Sequence, residues 1–215
     1  MLEGPAGGLQ ALIETPASEA GEALTVPAFA VVCHPHPLYG GTLDNKVVYT
    51  VARAIGQLGV PTIRFNFRGV GASAGSYDEG RGESEDALAV VAFGRQRWPE
   101  AALWLAGFSF GGAVAARIAE ETHAARVVLV APGITRLERA DFDAARAAVP
   151  ACPWLIVQGD ADDVVPAPAV LEWARSRVPR PPVPAPQLAV LPGAGHFFHG
   201  RLSELRDAVL AFLRR

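Results

Sequence analysis

Three short segments carry the residue types that nucleophilic catalysis needs. The first is Gly107-Phe108-Ser109-Phe110-Gly111, a G-x-S-x-G in which a serine stands between two glycines and a third, Gly112, follows. A serine hydroxyl becomes a useful nucleophile only beside a base, and the base needs a group to orient it. Downstream, Asp160, Asp162 and Asp163 cluster in Gly159-Asp160-Ala161-Asp162-Asp163-Val164-Val165, and His196 closes Gly193-Ala194-Gly195-His196. The order serine, acid, histidine is the one expected when the serine sits on a sharp strand-to-helix turn. Residue types alone leave the three aspartates equivalent: one orients the histidine, and the others cap the next helix or face solvent. His199 reads as loop support and His123 as a residue near a helix end.

A fourth segment, His34-Pro35-His36-Pro37-Leu38-Tyr39-Gly40-Gly41, has the character of an anion-binding loop. The tetrahedral intermediate of acyl transfer needs two N–H donors. Phe110, next after the serine, is expected to supply one from its backbone and the first loop the other. Pro35 and Pro37 have no N–H, which leaves His36 and Leu38 as the backbone donors. The competing chemistry is a metal held by His34, His36, His196 and His199. No carboxylate or cysteine stands at ligand spacing from them, and the prolines restrict the loop, so no metal is expected.

The elements needed to position these segments are legible as alternating patterns. Nearly continuous apolar runs at residues 29–34, 62–66, 103–108, 127–131, 154–158 and 187–191, with a further one at 9–14, read as strands. Central parallel strands covered on both faces have this character. Helical spacing fills residues 45–58, 83–98, 110–121, 167–177 and 203–213. Alternation of this kind predicts a mostly parallel, doubly wound sheet with helices on both faces. In that arrangement Ser109, the aspartate cluster and His196 all fall beyond the carboxyl ends of strands, on one edge of the sheet. The Pro-rich stretch 179–186 reads as a stiff connector.

Composition narrows the classes further. The chain has 215 residues, 50% of them hydrophobic and 19% charged, against about 25% charged for an average soluble protein. It reads as one α/β domain over residues 1–215. Nineteen Lys plus Arg against 22 Asp plus Glu give a net charge of −3, and Lys46 is the sole lysine. The scattered arginines form no basic block, so a nucleic-acid partner is not expected. No apolar run approaches the ~20 residues of a membrane span, so neither is a membrane partner. The first residues show no signal-peptide pattern, and Cys33 and Cys152 have no metal spacing. A cytoplasmic protein with free thiols is the expectation. The oligomeric state is not legible.

These segments together resemble the α/β-hydrolase superfamily, and in particular small, lidless bacterial serine hydrolases with a His-Pro-His-Pro-Leu-Tyr-Gly-Gly loop. The resemblance runs through residues 34–45, 64–71, 106–111, 158–165 and 196–206. It implies a Ser109–Asp162–His196 triad, because Asp162 fits the family's Gly-x-x-Asp-x-Val-Val pattern begun by Gly159. It also implies a single-domain α/β-hydrolase fold, esterase-like activity on small or short-acyl carboxylic esters, and no cofactor. Only about twenty residues separate the strand ending at Ala131 from Pro153, enough for a crossover helix but not for a cap domain. An open cleft walled by Tyr39, Phe110, Phe197 and Phe198 is therefore expected. Acyl transfer to other acceptors, thioester or peptide cleavage, and a non-catalytic ligand-binding role are the alternatives.

Overall fold

A computed structural model describes residues 1–16, 26–134, 150–176 and 185–215. A seven-stranded sheet dominates it, in the order β3-β5-β4-β6-β7-β8-β9. The strands are β3 (Ala11–Glu14), β4 (Ala28–Cys33), β5 (Thr62–Phe65), β6 (Ala102–Phe108), β7 (Arg126–Val130), β8 (Trp154–Gly159) and β9 (Gln187–Leu191). All neighbours pair in parallel except β3, which runs antiparallel along β5 at the edge. Among the described residues the sheet is flanked by α1 (Lys46–Gly56), α2 (Arg81–Arg97), α3 (Phe110–Ile118), α4 (Ala167–Ser176) and α5 (Leu202–Leu213).

Two apolar clusters lie on opposite faces of the sheet, and alternate strand residues feed them. Phe29, Val31 and Cys33 of β4 join one cluster with residues of α2, α3 and α4. Ala28, Ala30 and Val32 join the other, with residues of α1 and α5. The same alternation holds for Val127 and Leu129 against Val128 and Val130 in β7. This double cover is why the strands read as unbroken apolar runs rather than as alternating ones. Helix α2 comes close enough to β4 that a Cβ added at Gly94 would stand 2.1 Å from the Phe29 ring, which itself stacks on Trp98 at 5.7 Å.

The expected strands and helices appear within a few residues, with one addition. Residues 1–9 form a small hairpin, β1 (Leu2–Gly4) with β2 (Gly7–Leu9), and the single strand expected at 9–14 is divided between β2 and β3. Gln10, at the division, turns its side chain to accept hydrogen bonds from Asn66 Nδ2 at 2.8 Å and the Ala72 N–H at 2.9 Å. The crossover expected between β7 and β8 falls on residues 135–149, and most of the Pro-rich connector on 177–184; both lie outside the described residues. Among the described residues no helix is long and apolar enough to cross a membrane.

Among the parallel strands the chain begins with β4, adds β5 on one side and then returns to add β6 on the other. The strand order therefore reverses between β4 and β6, and crevices at such a reversal are where open α/β sheets bind their ligands. Cys33 and Gly107, which pair across these two strands, mark the carboxyl edge of that crevice.

Replacing Gly94 by Ala tests the α2–β4 approach. On an open helix this change stabilises by about 1 kcal/mol; against the Phe29 ring it is expected to cost about 1–3 kcal/mol. The effect should appear as a lower denaturation midpoint at unchanged m-value.

Candidate active site

Ser109 sits between the end of β6 and the start of α3 with φ 55° and ψ −118°, a region that residues with side chains rarely occupy. The turn is tight enough to need glycine on both sides. A Cβ at Gly107 would stand 2.1 Å from the Gly111 carbonyl oxygen, and one at Gly111 would stand 2.4 Å from the carbonyl oxygens of both Cys33 and His34. The Ser109 carbonyl accepts hydrogen bonds from Gly112, Ala113 and Gly133, and its N–H donates to the Val130 carbonyl at 2.9 Å. The backbone is thus clamped from β7 and α3 while the hydroxyl points to His196.

His196 and Asp162 complete a hydrogen-bonded chain. His196 Nδ1 donates to Asp162 Oδ2 at 2.8 Å, which leaves Nε2 to accept from Ser109 Oγ at 3.1 Å. Both partners are buried, with the imidazole 4.9 Å from the Phe108 ring and 5.1 Å from Phe197. Asp162 is heavily bonded: Oδ1 accepts from the N–H groups of Val164 and Val165 at 2.9 and 2.7 Å, and Oδ2 also accepts from Gln158 Nε2 at 3.1 Å. Burial alone would raise the Asp162 pKa, but the bonds from His196 and these two amides outweigh it and hold the carboxyl below its ordinary value. Asp160 and Asp163 are exposed. Asp160 ties down the histidine loop by accepting from the Gly193 N–H at 2.6 Å. The two loops touch so closely that a Cβ at Gly159 would stand 2.1 Å from the Ala194 carbonyl oxygen.

The first loop is braced from beneath by His34. Its Nδ1 donates to the Pro35 carbonyl at 2.6 Å and its Nε2 accepts from the Phe67 N–H at 3.0 Å, so the fully buried ring is neutral with the proton on Nδ1. Burial pushes its pKa down to about 4. Both nitrogens are committed to the backbone, and among the described residues no group of three or more His, Cys, Asp or Glu side chains is arranged to hold a metal. Phe67 is in turn fixed by its neighbour. Arg68 donates through Nη2 and Nε to Asp86 Oδ1, at 2.8 and 3.2 Å, and its N–H donates to Asp86 Oδ2 at 2.9 Å, beneath a fully buried carboxylate.

A cleft of about 410 Å³ opens over Ser109 and His196, lined also by His36, Tyr39, Phe110 and Phe197. Two sequence expectations need correction. Phe198 does not wall the cleft: it is 0% exposed and packs with Ala194, Leu205 and Val209 in the core under α5. Its φ of 50° reverses the chain, so that adjacent phenylalanines part, Phe197 to the cleft and Phe198 inward. Leu38 is not a free backbone donor: its N–H is bonded to His36 Nδ1 at 3.2 Å, the residue is 66% exposed, and it does not line the cleft. Of the two first-loop residues named from sequence, His36 lines the cleft. Tyr77, Asn45 and Val165 line the cleft without having been singled out from sequence. Gln158, which braces Asp162, was missed as well, although a glutamine ending an otherwise apolar strand is a readable signal.

A seven-stranded α/β sheet with a strained serine at its reversal point and an Asp–His–Ser chain along its carboxyl edge defines a serine hydrolase architecture, and comparison with known proteins agrees. The family model described as "Serine aminopeptidase, S33" matches residues 40–140. A structure of an α/β serine hydrolase homologue from Coxiella burnetii is 42% identical, covering 98% of this chain and 94% of that one, with a TM-score of 0.85. A Xanthomonas campestris protein, described as an α/β serine hydrolase without lid, is 41% identical over 100% of this chain and 92% of its own, with a TM-score of 0.86. Uncharacterized protein RP471 of Rickettsia prowazekii (strain Madrid E) is 33% identical over 186 residues, 86% of this chain and 77% of that one. The chain belongs to the α/β-hydrolase superfamily and groups with its lidless bacterial serine hydrolases.

The His34 brace gives a stability signature in acid. Its folded pKa of about 4 lies below the 6.5 of an unperturbed histidine, so between these values the unfolded chain binds more protons. Its contribution to stability is full above pH 6.5 and is lost progressively as pH falls toward 4. Melting temperatures across this window should fall more steeply for the wild type than for His34→Gln; identical slopes would exclude His34 as the source.

Proposed function

We propose that this protein hydrolyses small or short-acyl carboxylic esters through an acyl-enzyme on Ser109. The observation that carries the reading is the continuous chain from Asp162 through His196 to Ser109, with distances of 2.8 and 3.1 Å. His196 takes the serine proton as Ser109 attacks the ester carbonyl and returns it to the leaving alcohol. It then activates the water that releases the acid. Asp162, held ionised by its four hydrogen bonds, fixes the tautomer with Nδ1 protonated and stabilises the imidazolium that forms. The developing oxyanion is received by the backbone N–H of Phe110, at the first position of α3 where helix N–H groups lack an intrahelical acceptor, and by that of His36. Nucleophile, base and donors all come from this chain, and the reaction as proposed draws on no cofactor. Cys33 and Cys152 stand as free thiols, which supports the cytoplasmic placement included in this reading.

The match to an aminopeptidase family model makes peptide cleavage the reading to separate from ester cleavage. An aminopeptidase must anchor the ammonium group of its substrate, and a carboxylate is the usual means. None of the described residues lining the cleft is acidic, which favours a neutral ester. The cleft is also too small to enclose a long acyl chain.

Turnover of p-nitrophenyl acetate should exceed that of aminoacyl p-nitroanilides and decline as the acyl chain lengthens. Ser109→Ala should abolish ester turnover, and Asp162→Asn should lower kcat by about 10³–10⁴-fold by destabilising the required tautomer. Undiminished hydrolysis by Ser109→Ala would remove the assignment.

A further inference from the structure

Tyr77 and His36 form a polar pair at the end of the cleft nearest the first loop. The Leu38 N–H points to His36 Nδ1 at 3.2 Å, so that nitrogen presents its lone pair and the proton of the neutral ring lies on Nε2. The same Nε2 stands 3.2 Å from Tyr77 Oη. Nε2 therefore donates and the phenol oxygen accepts, which leaves the phenolic proton to be given elsewhere. Among the described residues Tyr77 Oη has no other hydrogen-bond partner.

The Tyr77 and His36 rings sit in an aromatic cluster. His36 is in ring contact with Tyr39, Tyr77 and Phe110 at 4.7, 4.9 and 5.0 Å, and Tyr77 lies 6.1 Å from Phe110. Burial, with Glu83 and Glu79 nearby, pushes the Tyr77 pKa up to about 12, so the group remains a donor throughout the physiological range. A half-buried donor whose proton has no acceptor among the described residues is costly when an apolar group displaces its water and favourable when a ligand supplies an acceptor.

We propose that Tyr77, with its hydroxyl oriented by His36, is a specificity-determining residue that selects esters carrying a hydrogen-bond acceptor, such as an ether or hydroxyl oxygen, a few atoms from the scissile carbonyl. This deepens the hydrolase reading and rests on it. Nothing in the assignment depends on which half of the ester faces Tyr77, so the test covers both.

Two pairs of esters that differ only by oxygen in place of a methylene serve as probes. They are p-nitrophenyl 3-methoxypropanoate against p-nitrophenyl pentanoate, and 2-methoxyethyl acetate against butyl acetate. Relative kcat/KM within each pair is measured after correction for their relative rates of alkaline hydrolysis. The wild type is expected to favour the ether member of at least one pair by about tenfold. Tyr77→Phe is expected to bring that ratio to about one, chiefly by slowing the ether member. Three results would overturn the assignment: no ether preference in the wild type, a ratio unchanged by Tyr77→Phe, or an equal loss on both members, the mark of a packing role. The hydrolase reading is judged separately, by loss of p-nitrophenyl acetate turnover in Ser109→Ala, so that either can fail alone.

Discussion

The backbone of Ser109 is held where an unconstrained chain would not leave it. A residue with a side chain at φ 55° and ψ −118° costs of order 1–3 kcal/mol and persists only where its surroundings over-determine it. Here they do. The Val130 carbonyl fixes its N–H, three amides hold its carbonyl, and Gly107 and Gly111 give the turn the space that any Cβ would fill. The strand order adds to the constraint, since reversal between β4 and β6 places the end of β4 directly against the turn. The same close approach that leaves no room at Gly111 brings the first loop to the nucleophile.

Electrostatics follow from that placement. Asp162 is buried where a carboxylate would ordinarily be expensive to ionise, yet its bonds to His196, Val164, Val165 and Gln158 hold it ionised. The cost of burying the charge is thereby turned into fixed orientation for the imidazole. On the opposite side, neutral His34 uses both ring nitrogens to bind the first loop to the Phe67 backbone, and the buried Arg68–Asp86 pair fixes Phe67 in its turn. Two braces, one anionic and one neutral, thus meet at the serine from either side.

Much of this was readable from sequence because it is local. The apolar runs, the glycine pair around Ser109 and the order serine, acid, histidine are all contiguous signals. Asp162 was distinguishable from Asp160 and Asp163 only through the family pattern, because which of three adjacent carboxylates becomes buried depends on how β8 meets the histidine loop. The features that were missed are non-local or hinge on one dihedral angle. The positive φ of Phe198 sends its ring into the core although its neighbour Phe197 is 43% exposed. The N–H of Leu38 is consumed by a side chain two residues away. Tyr77 reaches His36 across 41 positions from a loop without periodicity. The hairpin at residues 1–9 escaped notice because its strands are only three residues long.

The central claim is that Ser109 is a nucleophile activated by His196, and covalent labelling tests it without knowledge of the natural substrate. Intact protein treated with a fluorophosphonate and mapped by mass spectrometry should carry one adduct, on Ser109, and the rate of labelling should fall by orders of magnitude in a folded His196→Ala variant. Absence of an adduct on the folded wild type, a single adduct on another residue, or a rate indifferent to His196 would contradict the account.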